Sequence, residues 1–218
     1  MLNVLKRHQG AYNFLRIGVY GRLRSAMRHK VFQDIYRGNG WDDPESVSGP
    51  GSNASSTAHI RSALPQLIAE LDIKSLLDVP CGDYYWMKDV PLSVPYIGGD
   101  LLPDLIASNR KANPGVDFRV IDLLSNSLPQ SDAVFCRDCL VHLSLRDIER
   151  AIANIRRSNA RYLIATTFPH VTENADTVAP YWRPLNMALY FGEPERLIRD
   201  YADEQKDHAG KYLGVWRL

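Results

Sequence analysis

Between Ser75 and Met87 the chain passes from an apolar run to an acid and then straight into a tight turn: Leu76, Leu77 and Val79 surround Asp78, and Pro80, Cys81 and Gly82 follow. Few folds accept that order. A continuous apolar run suits a strand buried on both faces of a sheet, and the Pro-Cys-Gly step cannot prolong it. An acid at the carboxyl end of such a strand stands where open α/β sheets receive nucleotide-type ligands. Asp78 sits among apolar residues, so its carboxylate is expected to be at least partly buried. A buried carboxylate needs hydrogen bonds or a nearby cation.

The pattern then repeats. About 20 residues on, Tyr96-Ile97-Gly98-Gly99-Asp100 reads as a second short strand ending in an acid, the spacing at which a carboxylate accepts both hydroxyls of a ribose. Residues Val116–Ile121 read as a third strand leading to Asp122 and Leu123. Asp132–Cys136 reads as a fourth, opening into Arg137-Asp138-Cys139-Leu140-Val141-His142-Leu143. Acids also end strands as caps or turn residues, but Asp100 and Asp122 in register behind the first turn favour ligand contacts. A dinucleotide site would need Gly-x-Gly-x-x-Gly to seat a pyrophosphate on backbone N–H groups. Here Pro80 removes a donor and Tyr84 adds bulk.

The turn resembles motif I of the class I S-adenosylmethionine-dependent methyltransferases, acid-x-Gly-x-Gly-x-Gly, with Gly82 as the middle glycine and Pro80 and Tyr84 at the flanking positions. The chain is also similar to bacterial methyltransferase-like proteins with an Asp-Val-Pro-Cys-Gly-Asp motif I, which share its Trp41 and Glu45-Ser46-Val47-Ser48-Gly49-Pro50-Gly51-Ser52 loop. The resemblance spans about residues 38–218 and is most specific over 75–143. It implies an α/β, Rossmann-like methyltransferase fold: a mostly parallel seven-stranded sheet with an antiparallel last strand. It implies S-adenosylmethionine as cofactor, with Asp78 towards the methionine ammonium, Asp100 on the ribose, and Asp122 and Leu123 at the adenine edge. Trp41, Ser48, Ser52, Cys81, Gly82, Asp83, Leu101 and Arg137 complete the expected cofactor set. The acceptor it implies is a small molecule or a sugar-type glycan, methylated on oxygen or nitrogen. The alternative is a cofactor-binding or scaffolding protein that keeps this fold without catalysis.

Methyl transfer from a sulfonium is an in-line displacement, so the protein must align the groups, exclude water and take a proton from a hydroxyl acceptor. His142 titrates in the useful range and is the first choice for that base; its other reading is a histidine that caps or packs a helix. Asp138, the second catalytic candidate, either orients the cofactor or pairs with Arg137. Tyr84, Tyr85 and Trp86 either line a sulfonium pocket through cation–π contact or pack in the core. His170, Trp182, Arg183 and Asn186 are weaker acceptor-side candidates.

The remaining segments read as support. Ala58–Leu71 has helical apolar spacing, as does Leu140–Ile155, where Ser144 and Asp147 resemble a capping pair. Arg161–Thr167 reads as a fifth strand, and Leu197–Glu204 with Lys211–Leu218 as a final antiparallel pair. Thr177–Met187 reads as an irregular connection on the acceptor side. The Gly- and Ser-rich loop before Ala58 either folds over the cofactor mouth or is a flexible linker, with Trp41 as a lid anchor.

Composition narrows the classes. A chain of 218 residues with 45% hydrophobic content can bury one substantial core. A formal net charge of +1 offers no global field for phosphates, and Arg137-Asp138-Cys139-Leu140 stands where the nucleic-acid methyltransferases would show Asn/Asp-Pro-Pro-Tyr. No nucleic-acid partner is expected. Cys81, Cys136 and Cys139 form no disulfide framework, which suits a reducing cytoplasm, and Cys136-x-x-Cys139 lacks a second pair for a metal. No apolar run reaches membrane-span length. Residues 1–37 are basic, with Asp34 as the lone acid, and read as an amphipathic helical extension broken near Gly18 and Gly21. It either packs one face on the 38–218 domain or meets a membrane surface or an anionic substrate; an organellar presequence is a further reading.

Overall fold

The computed structural model describes residues 27–200 and 210–218. The expected helices around Gly18 and Gly21 therefore lie outside the described residues, as does the end of the strand expected over 197–204. Seven strands form one sheet: β1 (Leu76–Asp78), β2 (Tyr96–Asp100), β3 (Asp117–Val120), β4 (Ala133–Cys136), β5 (Tyr162–Thr167), β6 (Arg196–Arg199) and β7 (Tyr212–Arg217). Their order is β3-β2-β1-β4-β5-β7-β6, parallel throughout except that β7 runs antiparallel to both neighbours. Chain order reverses between β1 and β4, and the loops beyond the carboxyl ends of those strands diverge to leave a crevice.

The apolar runs are explained by the period of two. In β1, β4 and β5, Leu77, Val134, Leu163 and Ala165 face one core, while Leu76, Ala133, Phe135, Tyr162 and Ile164 face the other. Helix α4 (Leu145–Arg157) covers the first face with Ile148, Ala151, Ile152 and Ile155. Helix α2 (Ala54–Glu70) covers the second with Ile60, Leu64, Leu67 and Ile68. Each of these leucines and isoleucines contributes about 1.5–3 kcal/mol by leaving water. In β2 the side-chain space at Gly98 belongs to Phe118: a Cβ there would stand 2.7 Å from that ring. Helix α3 (Pro103–Ala112) packs Ile106 against Phe118 and Cys81.

Two helices differ from their sequence reading. α2 begins at Ala54, because Asn53 caps it by accepting from the Ser56 N–H at 2.9 Å. The segment Leu140–Ile155 is not one helix. Leu140–His142 forms a single 3-10 turn, the backbone extends at Leu143, and α4 starts only after Ser144, whose hydroxyl accepts from the Asp147 N–H at 3.2 Å. The last pair is antiparallel as expected, with β6 at Arg196–Arg199. Helix α1 (Arg28–Gly38) packs Phe32 on the first core, and a one-turn helix α5 (Ala188–Phe191) precedes β6. Among the described residues, no helix is long and apolar enough to cross a membrane.

Candidate active site

The carboxyl ends of β1, β2 and β4 open on a cavity of about 350 Å³, and apart from Tyr84 and Tyr85 every residue singled out above for catalysis or cofactor contact lines it. At the end of β1, Asp78 is 3% exposed and its Oδ2 accepts from the Tyr96 hydroxyl at 2.7 Å. Burial dominates that hydrogen bond and pushes the carboxyl up to about 8. The chain then turns through Gly82 at φ 57°, a conformation glycine adopts without strain. A Cβ at Gly82 would lie 2.3 Å from the Ser48 hydroxyl, so the loop over the turn needs glycine beneath it. The side chain of Tyr84 is turned to Tyr96 and Phe118, with ring centroids 5.4 and 5.1 Å away, and does not line the cavity. Tyr85 does not line it either and lies under Lys88. Trp86 does line it, stacked below Arg137.

Asp100, at the end of β2, accepts from the Leu102 N–H at 3.0 Å and from the Gly82 N–H at 3.3 Å, which ties the second strand to the first turn. Burial raises its pKa to about 6 against these bonds. Asp122, just after β3, accepts from the Ser125 hydroxyl at 2.6 Å and the Leu124 N–H at 2.9 Å, and is ion-paired with Arg28 of α1. Burial works against ionisation of Asp122, but these partners outweigh it and hold the carboxyl below its ordinary range.

The Gly- and Ser-rich segment is a built loop rather than a flexible linker. Asp43 accepts from the Glu45 and Ser46 N–H groups at 2.9 and 3.0 Å and from the Asn53 amide at 3.1 Å. Asp83 accepts from the Val47 N–H at 3.0 Å and from the hydroxyls of Ser46 and Ser48, while its own N–H donates to the Ser48 hydroxyl at 3.0 Å. Asp83 thus holds the loop that places Trp41, Ser48 and Ser52 over the cavity.

At the end of β4 the charges are paired. Arg137 donates from Nε to Asp200 at 2.9 Å and from Nη1 to the Gly51 carbonyl at 2.8 Å. Lys211 Nζ lies 2.7 Å from Asp200 and 2.5 Å from Asp138. Arg137 also lies 3.2 Å from Asp138. Burial alone would raise the Asp138 carboxyl, but Lys211 and Arg137 reverse that and hold it far below the carboxylate range. His142 is in ring contact with Trp41 at 5.0 Å, and its Nδ1 lies 2.8 Å from the Pro180 carbonyl. A carbonyl only accepts, so Nδ1 carries the proton and Nε2 keeps its lone pair. Burial lowers the His142 pKa and keeps the ring neutral.

Neither a protein-family model nor a curated protein matches the sequence. Solved structures do. The Burkholderia thailandensis 1,6-didemethyltoxoflavin-N1-methyltransferase, with 1,6-didemethyltoxoflavin and S-adenosylhomocysteine bound, aligns with a TM-score of 0.62 at 15% identity, over 90% of this chain and 89% of that one. The DhpI complex with SAM and HEP aligns with a TM-score of 0.60 at 18% identity, over 87% and 97%. Magnesium protoporphyrin IX methyltransferase (ChlM) from Synechocystis PCC 6803, with SAM bound, gives 0.57 at 14%, over 86% and 94%. The chain has the class I methyltransferase fold.

Within this methyltransferase fold the strand order divides the cavity. Asp78, Asp100 and Asp122 lie on the β1-β2-β3 side, while Asp138, His142 and Trp182 lie on the β4-β5 side. Several acceptor-side candidates have other duties. Arg183 donates to the carbonyls of Ala175, Leu140 and Leu143 at 2.8–3.0 Å, and Asn186 donates to that of Val171 at 2.8 Å. Both hold the irregular connection together and neither lines the cavity, nor does His170. Sequence reasoning missed Arg28, Phe32 and Tyr36 of α1, and Lys211 with its partner Asp200. Lys211 sits at the start of a strand whose apolar pattern gives no sign of an inward-facing ammonium. Asn109 was missed too; its amide donates to the Gly82 carbonyl at 2.8 Å and fixes the turn from α3.

Proposed function

We propose that the chain binds S-adenosylmethionine at the ends of β1, β2 and β3 and transfers its methyl group to a small-molecule acceptor at the ends of β4 and β5. The observation that carries this is the convergence of Asp78, Asp100 and Asp122 with the Gly82 turn on one cavity, beside a neutral histidine with a free lone pair. The donor set fits the group. Asp100 suits ribose hydroxyls, Asp122 suits an exocyclic amine, and Asp78 holds a proton that an incoming ammonium would displace. The side chain of Tyr84, which stands at a flanking glycine position of motif I, is directed away from the cavity. When bound, the cofactor supplies an activated methyl group on a good leaving group.

The chain's own residues then do three things. The loop held by Asp83 covers the site and excludes water. Asp138, fixed by Lys211 and Arg137, positions charge beside His142 and stays ionised, so it is not the proton acceptor. His142 takes the acceptor's proton at Nε2, with the Pro180 carbonyl setting the tautomer. General-base catalysis of this kind contributes about 10²–10⁴-fold.

Calorimetric titration with S-adenosylmethionine, S-adenosylhomocysteine and NAD tests the cofactor half: the first two should bind and NAD should not. His142→Gln should leave both affinities unchanged. In the wild type, turnover should fall at acid pH with a midpoint below the ordinary histidine value, and the variant should lose that limb. Absence of S-adenosylmethionine binding to folded protein would leave a scaffold with a methyltransferase fold.

A further inference from the structure

The half of the cavity beyond β4 is walled by rings. Trp41 and His142 are in contact, and Trp182 stands edge-on to Phe168 at 5.5 Å and is 41% exposed at the mouth. Each tryptophan carries one polar atom, and His142 offers only Nε2, because its Nδ1 is held by the Pro180 carbonyl. The charged and amide groups that a polar ligand would need are engaged elsewhere: Arg28 on Asp122, Lys211 on Asp138 and Asp200, Arg183 and Asn186 on backbone carbonyls. A pyranose carries a hydroxyl on almost every carbon, and each one buried without a partner is costly. A phosphate or carboxylate would have to strip a cation from a carboxylate already paired with it.

Resting on the cofactor reading above, we propose that this half is the subsite for a small, planar, uncharged hydroxyarene, methylated on its oxygen. Flat apolar faces match rings that prefer offset or edge-to-face contact. The whole cavity is about 350 Å³ and is shared with the cofactor, which restricts the acceptor to a small molecule. The base is matched as well. A neutral imidazole is a weak base, and a phenolic hydroxyl, with a pKa near about 10, gives up its proton far more readily than an alcohol. In the step, the bond from the methyl carbon to the sulfonium sulfur breaks and its electron pair stays on sulfur. A bond forms from the hydroxyl oxygen to that carbon, and the hydroxyl proton passes to His142 Nε2. The products are an aryl methyl ether, S-adenosylhomocysteine and a histidinium that returns its proton to water.

The test is equilibrium binding of 2-naphthol to the S-adenosylhomocysteine-loaded protein, followed by naphthol fluorescence, with methyl glucoside and benzylamine as competitors. Mass spectrometry of the S-adenosylmethionine reaction runs alongside. Naphthol should bind and gain one methyl group, while the sugar and the amine should not compete. Trp182→Ala should weaken naphthol binding about three- to tenfold with S-adenosylhomocysteine affinity unchanged, and Trp182→Phe should restore most of it. Competition by the glucoside, or naphthol binding indifferent to both Trp182 variants, would overturn the subsite. Failure of S-adenosylhomocysteine itself to bind, read separately by calorimetry, would overturn the cofactor reading and this one with it.

Discussion

The two halves of the cavity treat buried acids in opposite ways. At the ends of β1 and β2, Asp78 and Asp100 are buried with hydroxyl and N–H partners, and both are raised, to about 8 and about 6. At the end of β4, Asp138 shares Lys211 with Asp200 and lies beside Arg137, and its pKa is lowered. Asp138 is the most exposed of the three, with its side chain 22% accessible, but the larger difference is the supply of cations. An acid compensated inside the protein is part of the scaffold, whereas one short of compensation is ready for a ligand that brings the missing charge or donor. Asp122 stands between the two, compensated by an arginine from a helix at the cavity edge.

The contrast is most exposed to test at Lys211. Lys211→Met leaves Asp138 and Asp200 facing Arg137 alone, and stability should fall by about 3–5 kcal/mol in urea melts. The double variant Lys211→Met, Asp200→Asn should recover part of that loss. A loss below about 1 kcal/mol would mean the quartet is not a scaffold. Asp78 should behave in the reverse sense. Its native carboxyl holds a proton that the unfolded chain has released above about pH 4, so stability should fall as pH rises from there to about 8, by up to roughly 1.4 kcal/mol per pH unit. Asp78→Asn keeps an acceptor for Tyr96 and should remove that slope, becoming more stable than the wild type at pH 8 and equal to it near pH 4. Melts at three pH values decide it. Asp100→Ala removes an acceptor that the cofactor's ribose would use. S-adenosylmethionine affinity should drop by about ten- to a hundredfold, the loss of hydrogen bonds to a charged group, while the protein stays folded at the assay temperature. The smallest effect is expected at Arg28. Arg28→Ala breaks a half-buried pair and should cost about 1 kcal/mol, and the Asp122 contribution should then be lost at a higher pH on acidification. A Tm series from neutral to acid pH measures both.

What the sequence made legible follows from physics that is local. A buried parallel strand has to be apolar on both faces, so β1, β4 and β5 announce themselves, and the acids that close β1 and β2 stand out against the residues before them. The turn at Gly82 and the cap at Ser144 are equally short-range. Long-range pairing is not visible in this way. Arg28 reaches Asp122 across 94 positions and Lys211 reaches Asp138 across 73, and no periodicity marks either cation as inward-facing. The continuous helix expected from Leu140 fails for a related reason. Leu140 and Leu143 keep a helical spacing, yet the chain makes a 3-10 turn that sets His142 against Pro180 and Trp41. Arg183 and Asn186 have the right chemistry for a ligand, but only the fold reveals that their donors already serve carbonyls.

Arg137 reaches the Gly51 carbonyl with one nitrogen and Asp200 with another, so it joins the entrance loop to the last hairpin. Lys211 follows every other cavity residue in chain order, and its partner Asp200 also lies beyond Trp182. During synthesis, the strands that carry Asp78, Asp100 and Asp122 leave the ribosome well before the pair that neutralises Arg137 and Asp138. The β1-β2-β3 half of the cavity can take shape early, whereas the β4-β5 half is finished only when the last two strands dock.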